Sequence, residues 1–322
     1  MEILSSTTTT SRVYPLSFTG KGSDYFGIAM VNLLLSILTL GLYYPWAKAR
    51  ELKYLYGATE FDGSRFEFHG SGKEMFRGFI KAVIIFTVVY GGLVAGIILN
   101  QLLAGLIWFY LGLLFLIPLA IHGSYKYRMS RSSWRGIRFG YRGKRNEFMW
   151  MFFRELFFTV ISLGIYGAWM TIRLRHYVLG NIRFGDARFQ YKGHGGDYFV
   201  LNIKGYFLSI VTLGIYLFWW QKELFAYYVD HLSLEHKEEK IQFKSIAGGG
   251  DFFALIMVNL LLMIFTLGIA YPWVMTRTLT FVFSKIQVTG NIDTAQLLQT
   301  ESAYTDATGE DMSDMLDLGF VI

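Results

Sequence analysis

The chain has 322 residues, of which 53% are hydrophobic and 17% are charged, whereas an average soluble domain carries about 25% charged residues. The formal net charge is +6 and there is no cysteine, which excludes disulfides and thiolate metal sites. The six histidines form no HExxH pattern, so no metal site is predicted. The composition therefore favours a membrane protein over a soluble domain.

The charge is distributed unevenly along the chain. Residues 291–322 contain seven acidic residues and no Lys or Arg, so this tail carries −7 and residues 1–290 carry +13. A basic body beside a lipid bilayer favours contact with anionic lipid headgroups. Nucleic acid is not a predicted partner, because the basic residues lie between apolar runs rather than on a separate domain. The acidic tail is predicted to be solvated and partly disordered, with binding of a protein partner as the alternative.

The chain opens with a polar segment, residues 1–13, which is predicted to be a disordered tail. It has no basic n-region, which argues against a cleaved signal peptide. Six apolar runs follow, and a membrane-spanning helix needs roughly 20 mainly apolar residues. The predicted fold class is therefore mainly α: a polytopic helical membrane protein built of internal repeats, with short β-strands in the extramembrane connections. The predicted membrane segments are residues 25–44, 79–99, 102–121, 156–172, 206–220 and 252–274.

An eight-residue motif recurs along the chain. TLGLYYPW at Thr39–Trp46 returns as SLGIYGAW, TLGIYLFW and TLGIAYPW. An acidic residue stands 22 positions before each final Trp, and a fifth acid follows a similar Gly-rich turn without the closing motif. A repeated domain is predicted over residues 14–290, with units starting near 18, 68, 139, 189 and 243. The predicted helix-start acids are Asp24, Glu74, Glu147, Asp197 and Asp251.

Each motif is interpreted as a membrane exit, at which a span stops and the chain turns along the surface. An acid in the first helical turn complements the positive end of the helix dipole. The Gly of the motif suits a left-handed C-terminal cap, and Tyr and Trp prefer the membrane–water interface. A ligand site built from these Tyr and Trp clusters is the alternative. The predicted interface anchors are Trp46, Trp169, Trp219 and Trp273.

Extended segments separate the apolar runs. TEFDGSRFEFHG and NIRFGDARFQYKG place Phe and Tyr at alternate positions with Gly turns between, which predicts short strands that pair in a small sheet outside the membrane. No pairing order follows from this pattern. The Gly-rich turns before the helix-start acids are predicted to cap helices, and binding of a lipid phosphate through backbone N–H groups is the alternative.

Two orientations of the apolar runs are compatible with the positions of Lys and Arg. If all six runs span the membrane, 17 of these residues lie on one side and 9 on the other, and the positive-inside rule puts the first side in the cytoplasm. The two MVNLLL units, at Met30 and Met257, then face opposite ways, as in the inverted repeats of transporters. In the alternative, some units enter the membrane and return on the same side.

Polar residues within apolar runs are candidates for function in a membrane. Asn32 and Asn259 each lie in an MVNLLL segment, and they are predicted either to join helices by hydrogen bonds or to line a polar path. Lys81, Arg154 and Lys204 each follow a helix-start acid by seven residues, about 10 Å along a helix, so their side chains can reach the membrane surface.

The entry motif F-x-G-x-G-x-D-Y-F, the closing motif T-L-G-[IL]-Y-x-x-W and their repetition resemble the YjgN family of bacterial inner-membrane proteins. The resemblance covers roughly residues 14–290, although the second unit lacks the closing motif. It implies a multi-pass protein of the bacterial inner membrane. The family is one of unknown function, so the resemblance assigns no catalytic or binding residue.

The function predicted from these patterns is that of a transporter or channel for an unidentified small solute, ion or lipid. It rests on the inverted-repeat pattern and on the two asparagines. The alternative is a non-transporting scaffold or regulatory protein, which binds a partner through its strand-like loops and acidic tail. No GxSxG, Walker-type loop or triad is present, so no enzyme activity and no cofactor is predicted. No oligomeric state is predicted.

Overall fold

The computed structural model of the protein describes residues 12–292 and 297–300. The predictions for the first eleven residues and for most of the acidic tail therefore lie outside the described residues. Within the described part, the strands are β1 (Arg12–Tyr14), β2 (Leu16–Phe18), β3 (Thr59–Phe61), β4 (Ser64–Phe68), β5 (Ser132–Trp134), β6 (Ile137–Tyr141), β7 (Ile182–Phe184), β8 (Ala187–Tyr191), β9 (Leu232–His236), β10 (Glu239–Ser245) and β11 (Ile286–Gly290). The helices are α1 (Gly22–Leu38), α2 (Tyr44–Gly57), α3 (Gly72–Ile98), α4 (Leu102–Ser130), α5 (Arg145–Ile161), α6 (Gly167–Gly180), α7 (Gly195–Val211), α8 (Leu217–Asp230), α9 (Gly249–Phe265) and α10 (Tyr271–Ser284).

The eleven strands form one antiparallel sheet in the order β1-β11-β10-β9-β8-β7-β6-β5-β4-β3-β2. Strands β1 and β2 stand at the two ends of this order, yet only Pro15 separates them in the chain. β1 pairs with β11, with Tyr14 opposite Val288, and β2 pairs with β3, with Leu16 opposite Phe61. One continuous segment thus joins both ends of the sheet, which curves into a nearly closed barrel.

The barrel has an apolar interior and a polar exterior. Successive residues of a strand point to opposite faces of a sheet. In β4, the exposed Arg65 and Glu67 alternate with Phe66 and the buried Phe68. The other strands alternate in the same way, and their inward-facing side chains pack into one core inside the barrel. Its buried members among the strands are Tyr14, Trp134, Phe184, Ala187, Leu234, Ile241 and Val288.

Helical hairpins connect the strands at one end of the barrel, and tight turns connect them at the other. The pairs α1/α2, α3/α4, α5/α6, α7/α8 and α9/α10 each join two strands that are neighbours in the sheet. The turns include Asp62-Gly63 and Arg135-Gly136, which have positive φ at both residues, as hairpins prefer. Because neighbouring strands are antiparallel, all five hairpins leave the same barrel end. Adjacent hairpins contact each other and α10 contacts α1, so the helices form a ring.

The prediction of a polytopic helical membrane protein is wrong. Among the described helices only α3 and α4 are long and apolar enough to cross a membrane. Four predicted segments instead contain a turn, because the T/S-L-G sequence lies inside each of them. Residues 25–44, 156–172, 206–220 and 252–274 therefore each belong to two helices, of 17 and 14 residues in every case.

The alternating orientation of the apolar runs does not occur either. Both ends of every hairpin are held in neighbouring strands, so each pair of helices leaves the barrel and returns to it. The inverted-repeat pattern, which needs consecutive runs to face opposite ways, is excluded by this connection. The strands that were expected to form a small accessory sheet instead make up the barrel that holds all the helices together.

Candidate membrane interface

Each of the four short hairpins turns at the T/S-L-G sequence of the repeated motif. In the first, the Thr39 hydroxyl donates to the carbonyl of Leu35 at 2.7 Å and accepts the N–H of Tyr43 at 3.0 Å. It thereby ends one helix and begins the next, which explains why each motif opens with Thr or Ser. The Thr212 and Thr266 hydroxyls make the equivalent pair of contacts. The Ser162 hydroxyl also accepts the N–H four residues later, but it donates to the carbonyl of Thr159, three residues earlier.

A leucine follows each of these hydroxyls at the far end of the hairpin. All four leucines have φ between 49° and 52°, a left-handed conformation that costs a residue with a Cβ roughly 1–2 kcal/mol. Their side chains are 92% to 95% exposed, so packing within the protein does not offset this cost. We call them the tip leucines: Leu40, Leu163, Leu213 and Leu267. The sequence pattern indicated only the following Gly as a left-handed residue.

Exposed apolar side chains surround each tip leucine. Next to Leu163, for example, Val160, Ile161 and Ile165 are 66%, 64% and 59% exposed. The long hairpin turns at Asn100, which also has positive φ, between the exposed Leu99 and Leu102. Soluble proteins rarely expose contiguous apolar patches larger than a few hundred Å². The five clusters of exposed apolar side chains at the hairpin tips together form a candidate membrane-contacting surface.

Charged side chains recur at a constant distance from the start of a hairpin, since Lys81, Arg154 and Lys204 each follow a helix-start acid by seven residues. In the third hairpin, Glu155 is completely buried between Arg154, at 2.6 Å, and Arg173, at 3.1 Å. In the fourth, Lys204 contacts Glu223 at 3.0 Å. Arg173 and Glu223 each follow a closing Trp by four residues, a repeated spacing that could have identified them in the sequence. We call Lys81, Arg154, Glu155, Arg173, Lys204 and Glu223 the charged belt.

The distance from the charged belt to the tip differs between the short hairpins and the long one. Arg154 precedes Leu163 by nine residues and Lys204 precedes Leu213 by nine, which is about 14 Å of helix. Lys81 precedes Asn100 by 19 residues, which is about 28 Å. The hydrocarbon core of a bilayer is about 30 Å thick. Between the charged belt and the tip, each short hairpin therefore has about the length of one leaflet of the core. The same part of the long hairpin has about the length of the whole core.

The four predicted anchor tryptophans lie at the junctions between units. Trp169 packs over Gly195, the first residue of the next unit's helix, and a Cβ at that glycine would lie 2.6 Å from the Trp169 Cγ. Its ring also lies 5.3 Å from Phe199. The other tryptophans repeat this contact: Trp46 with Gly72, Trp219 with Gly249 and Trp273 with Gly22.

The junction between the second and third units lacks this Trp–Gly pair. The second unit has no closing motif, and the following helix, α5, begins with Arg145 rather than Gly. Trp and Gly are thus lost together where the junction is different. Of the anchors, Trp46, Trp219 and Trp273 are 38% to 42% exposed, so one edge of each ring remains available to the surroundings.

Asn32 and Asn259 join the helices of their own hairpins. The Nδ2 of Asn32 donates to the carbonyl of Ala47 at 3.1 Å, and that of Asn259 donates to Oγ1 of Thr278 at 3.0 Å. In the described part of the chain each Oδ1 is buried without a hydrogen-bond partner. Glu155 occupies the equivalent position of the third unit, eight residues after the helix-start acid. In three of the five hairpins, the residue at this position therefore makes a polar contact between the first helix and the second.

The five helix-start acids lie in the first turn of the first helix of each hairpin. Asp251 Oδ2 is 2.7 Å from Lys285 Nζ and accepts the Gly248 N–H at 2.8 Å, and these contacts lower the pKa of the Asp251 carboxyl. Glu74 forms a capping box with Ser71. Among residues 12–292 and 297–300, no three His, Asp or Glu side chains come together to hold a metal ion.

A nearly closed antiparallel barrel that carries a ring of helical hairpins, with apolar tips above charged side chains, defines the architecture of this protein. The family model described as "Bacterial protein of unknown function (DUF898)" matches residues 13–192, 186–238 and 220–315. The chain belongs to this family. No solved structure matches the chain.

Proteins named "Inner membrane protein YjgN" are similar to the chain. Those of Escherichia coli K12 and Escherichia coli O157:H7 are each 31% identical over 147 residues, which cover 46% of this chain and 36% of the relative. That of Salmonella typhimurium LT2 is 29% identical over 153 residues, covering 47% and 37%. The resemblance to the YjgN family is thus confirmed. The chain spans little more than a third of the length of these relatives.

Proposed function

We propose that this protein is a membrane-anchored scaffold whose hairpin ring inserts into the bacterial inner membrane. The observation that carries the proposal is the set of four tip leucines. Each combines a costly left-handed backbone with a side chain that is more than nine-tenths exposed. In water both features are unfavourable, whereas a leucine surrounded by lipid gains the free energy of burial, about 1.5–3 kcal/mol.

The depth of insertion follows from the charged belt. With Arg154 and Lys204 at the phosphate level, the short hairpins end near the middle of the bilayer. The hairpin of α3 and α4 crosses the bilayer and returns. The half-exposed Arg154 and Arg173 lie where anionic headgroups attract cations. Anionic lipid is therefore part of the proposed binding surface, and the anchor tryptophans lie at a depth that suits their rings.

The barrel is proposed to lie on the cytoplasmic face. No Lys or Arg occurs between Lys81 and Lys126, so the segment that reaches the far side has no positive charge. The remaining basic residues lie toward the barrel, where the positive-inside rule expects them in the cytoplasm. The inner-membrane location named for the relatives is extended to this chain as part of the same proposal.

The scaffold is preferred over a transporter. The inverted-repeat pattern that favoured transport does not occur, and the asparagines proposed for a polar path are engaged in contacts within their own hairpins. The outer face of the barrel carries charged side chains such as Arg65, Glu67 and Arg188, which are exposed. Such a face suits a protein partner in the cytoplasm, which is the role proposed for the barrel.

Single cysteines test the insertion, because the native chain has none. We would introduce Leu163→Cys, Asn100→Cys and Lys237→Cys separately and apply a membrane-impermeant thiol reagent to cells and to inside-out vesicles. The expected result is that Lys237→Cys reacts only from the cytoplasmic side and Asn100→Cys only from the opposite side. Leu163→Cys is expected to react from neither side until detergent is added.

A control cysteine on the barrel surface makes the result for Leu163→Cys interpretable. Val13→Cys, 57% exposed on the barrel, should react as Lys237→Cys does and so report that the reagent reaches the protein surface. Reaction of Leu163→Cys from the barrel side in intact membrane would contradict insertion. Its reaction from the far side alone would mean that the short hairpins cross the bilayer.

A further inference from the structure

The barrel encloses a cavity of about 210 Å³. Nine consecutive strands of the sheet order, β2 to β10, contribute to its wall, so the cavity lies on the barrel axis. Its eleven lining side chains are apolar or aromatic, and the indole N–H of Trp134 is already engaged by the carbonyls of Phe61 and Ser64. We call this space the barrel cavity.

The repeat itself builds part of this wall. The residue eight positions before each helix-start acid lines the cavity in all five units, and it is Phe in four of them: Leu16, Phe66, Phe139, Phe189 and Phe243. These five side chains are half-buried, and Phe66 and Phe139 lie directly opposite the buried Trp134 and Phe184 of the neighbouring strands. Ile292 and Leu297 add buried side chains to the same core. Toward the hairpins the next inward-facing residues, Phe18, Phe68, Tyr141 and Tyr191, are buried, so side chains also cover the cavity on the hairpin side.

We propose that the barrel cavity binds an acyl chain. An apolar cavity of this kind stays dry and accepts apolar molecules; one of about 150 Å³ lined by Leu, Ile and Phe takes up benzene. With about 30 Å³ for each group of water size, the cavity holds about seven methylene-sized groups. No lining side chain offers a hydrogen bond to a polar ligand, so a hydrocarbon chain is the matching chemistry.

The source of the chain is either a membrane lipid or a free fatty acid. A membrane lipid as the source requires the membrane insertion proposed above, and in that respect the inference rests on it. The cavity and its lining are independent of membrane insertion. An experiment that maps where a reactive chain attaches therefore tests the two proposals separately.

The test uses photoreactive chains on the full-length protein in nanodiscs of phosphatidylethanolamine and phosphatidylglycerol. One probe is decanoic acid with a terminal diazirine, and the other is phosphatidylglycerol with the same group at the end of one acyl chain. After irradiation, mass spectrometry locates the crosslinks. The expected result is crosslinking to strand residues 64–68, 137–141, 187–191 or 239–245, in addition to the hairpin tips. The probe that labels the strands identifies the source.

A filled cavity provides the matched variant. Leu16→Phe with Leu232→Phe narrows the cavity, using at position 16 the residue found in the other four units, and should lower strand labelling at least fivefold while tip labelling is unchanged. The control is Val13→Phe on the outer surface, which should label as the native protein does. Crosslinks confined to the hairpins with both probes would overturn the inference and leave insertion standing. Strand labelling without tip labelling would support the cavity and contradict insertion.

Discussion

At the residue scale, aromatic rings and glycines occur in matched pairs. Phe18 and Tyr191 lie against the glycines two positions later, and a Cβ at Gly20 would lie 2.5 Å from the Phe18 ring. Phe68 and Tyr141 repeat the arrangement with Gly70 and Gly143. In the fifth unit the two positions are Ser245 and Ala247. Where the ring is absent, the glycine is absent too, so these glycines are explained by the space the rings occupy.

The closing Trp and the first Gly of the next unit allow a direct test. Gly195→Ala is expected to lower the free energy of unfolding by about 1–3 kcal/mol, because the added Cβ displaces the ring of Trp169. The neighbouring Gly196→Ala is the control, since nothing lies within 4 Å of a Cβ there. Chemical unfolding in detergent compares the two variants. An equal loss of stability in both would mean that the packing of Trp169 on Gly195 does not hold the units together.

At the element scale, the hairpins use one polar contact in two versions. In the third hairpin the buried Glu155 lies on the first helix and binds Arg173 of the second. In the fourth, Lys204 lies on the first helix and Glu223 on the second, and Gly205 replaces the acid at position 155. The sign of the charges is exchanged while the contact between helices is kept. The contact therefore holds the two helices of a hairpin together at the level of the charged belt.

The two versions differ in burial, which predicts different stabilities. Glu155→Ala removes a completely buried carboxylate and its charged hydrogen bonds to two half-exposed arginines, and we expect a loss of about 1.5–3 kcal/mol. Glu223→Ala breaks a more exposed pair, with Lys204 52% exposed, and should cost less than about 1 kcal/mol. Unfolding of both variants in the same detergent measures the difference. A larger loss for Glu223→Ala would show that burial does not decide the strength of these contacts.

At the scale of the whole molecule, residues distant in sequence close the turn end of the barrel. The hydroxyl of Tyr14 donates to the carbonyl of Ile292 at 2.6 Å. Asp186 accepts the N–H of Leu298 at 3.1 Å through Oδ1 and lies 2.9 Å from Nε2 of His236 through Oδ2. Burial alone raises the pKa of Asp186, but the contacts with His236 and Leu298 outweigh it, so the pKa lies below its ordinary value.

This lowered pKa predicts how the closure depends on pH. The contribution of Asp186 is fully present above the pKa of an unfolded aspartate, about 4, and is lost as the pH falls through the lower folded value. The protection factor of the Leu298 amide, which compares its exchange with that of an unfolded peptide at the same pH, should therefore be high at neutral pH and fall in acid. Asp186→Ala should abolish the protection at neutral pH, whereas Glu238→Ala, at an exposed turn of the same barrel end, should retain it. Unchanged protection in Asp186→Ala would exclude this closure.

Local patterns predicted much of what the elements do. The acids at constant spacing lie in the first turns of helices, and the alternating aromatic segments are strands, because capping and alternation depend on neighbours in sequence. The tip leucines were not anticipated, since a left-handed leucine contradicts ordinary preferences and only the observed backbone reveals it. Four of the six predicted spans were wrong, because the hydrophobicity of a run does not reveal that a Thr or Ser hydroxyl ends one helix and begins the next within it.

By itself the sequence determined the repeated motif, the helix starts at the acids, the strand alternation and the family. The tertiary structure decided which strands pair. It showed that residues 12–18 form the two end strands of the sheet, β1 and β2, and so bring its ends together. It also showed that every hairpin leaves the same end of the barrel. The physical reason is that strand pairing is a backbone interaction between segments separated by a whole hairpin. Side-chain patterns specify which face of a strand is apolar, but the antiparallel hydrogen bonds between distant strands set the direction of the helices that connect them.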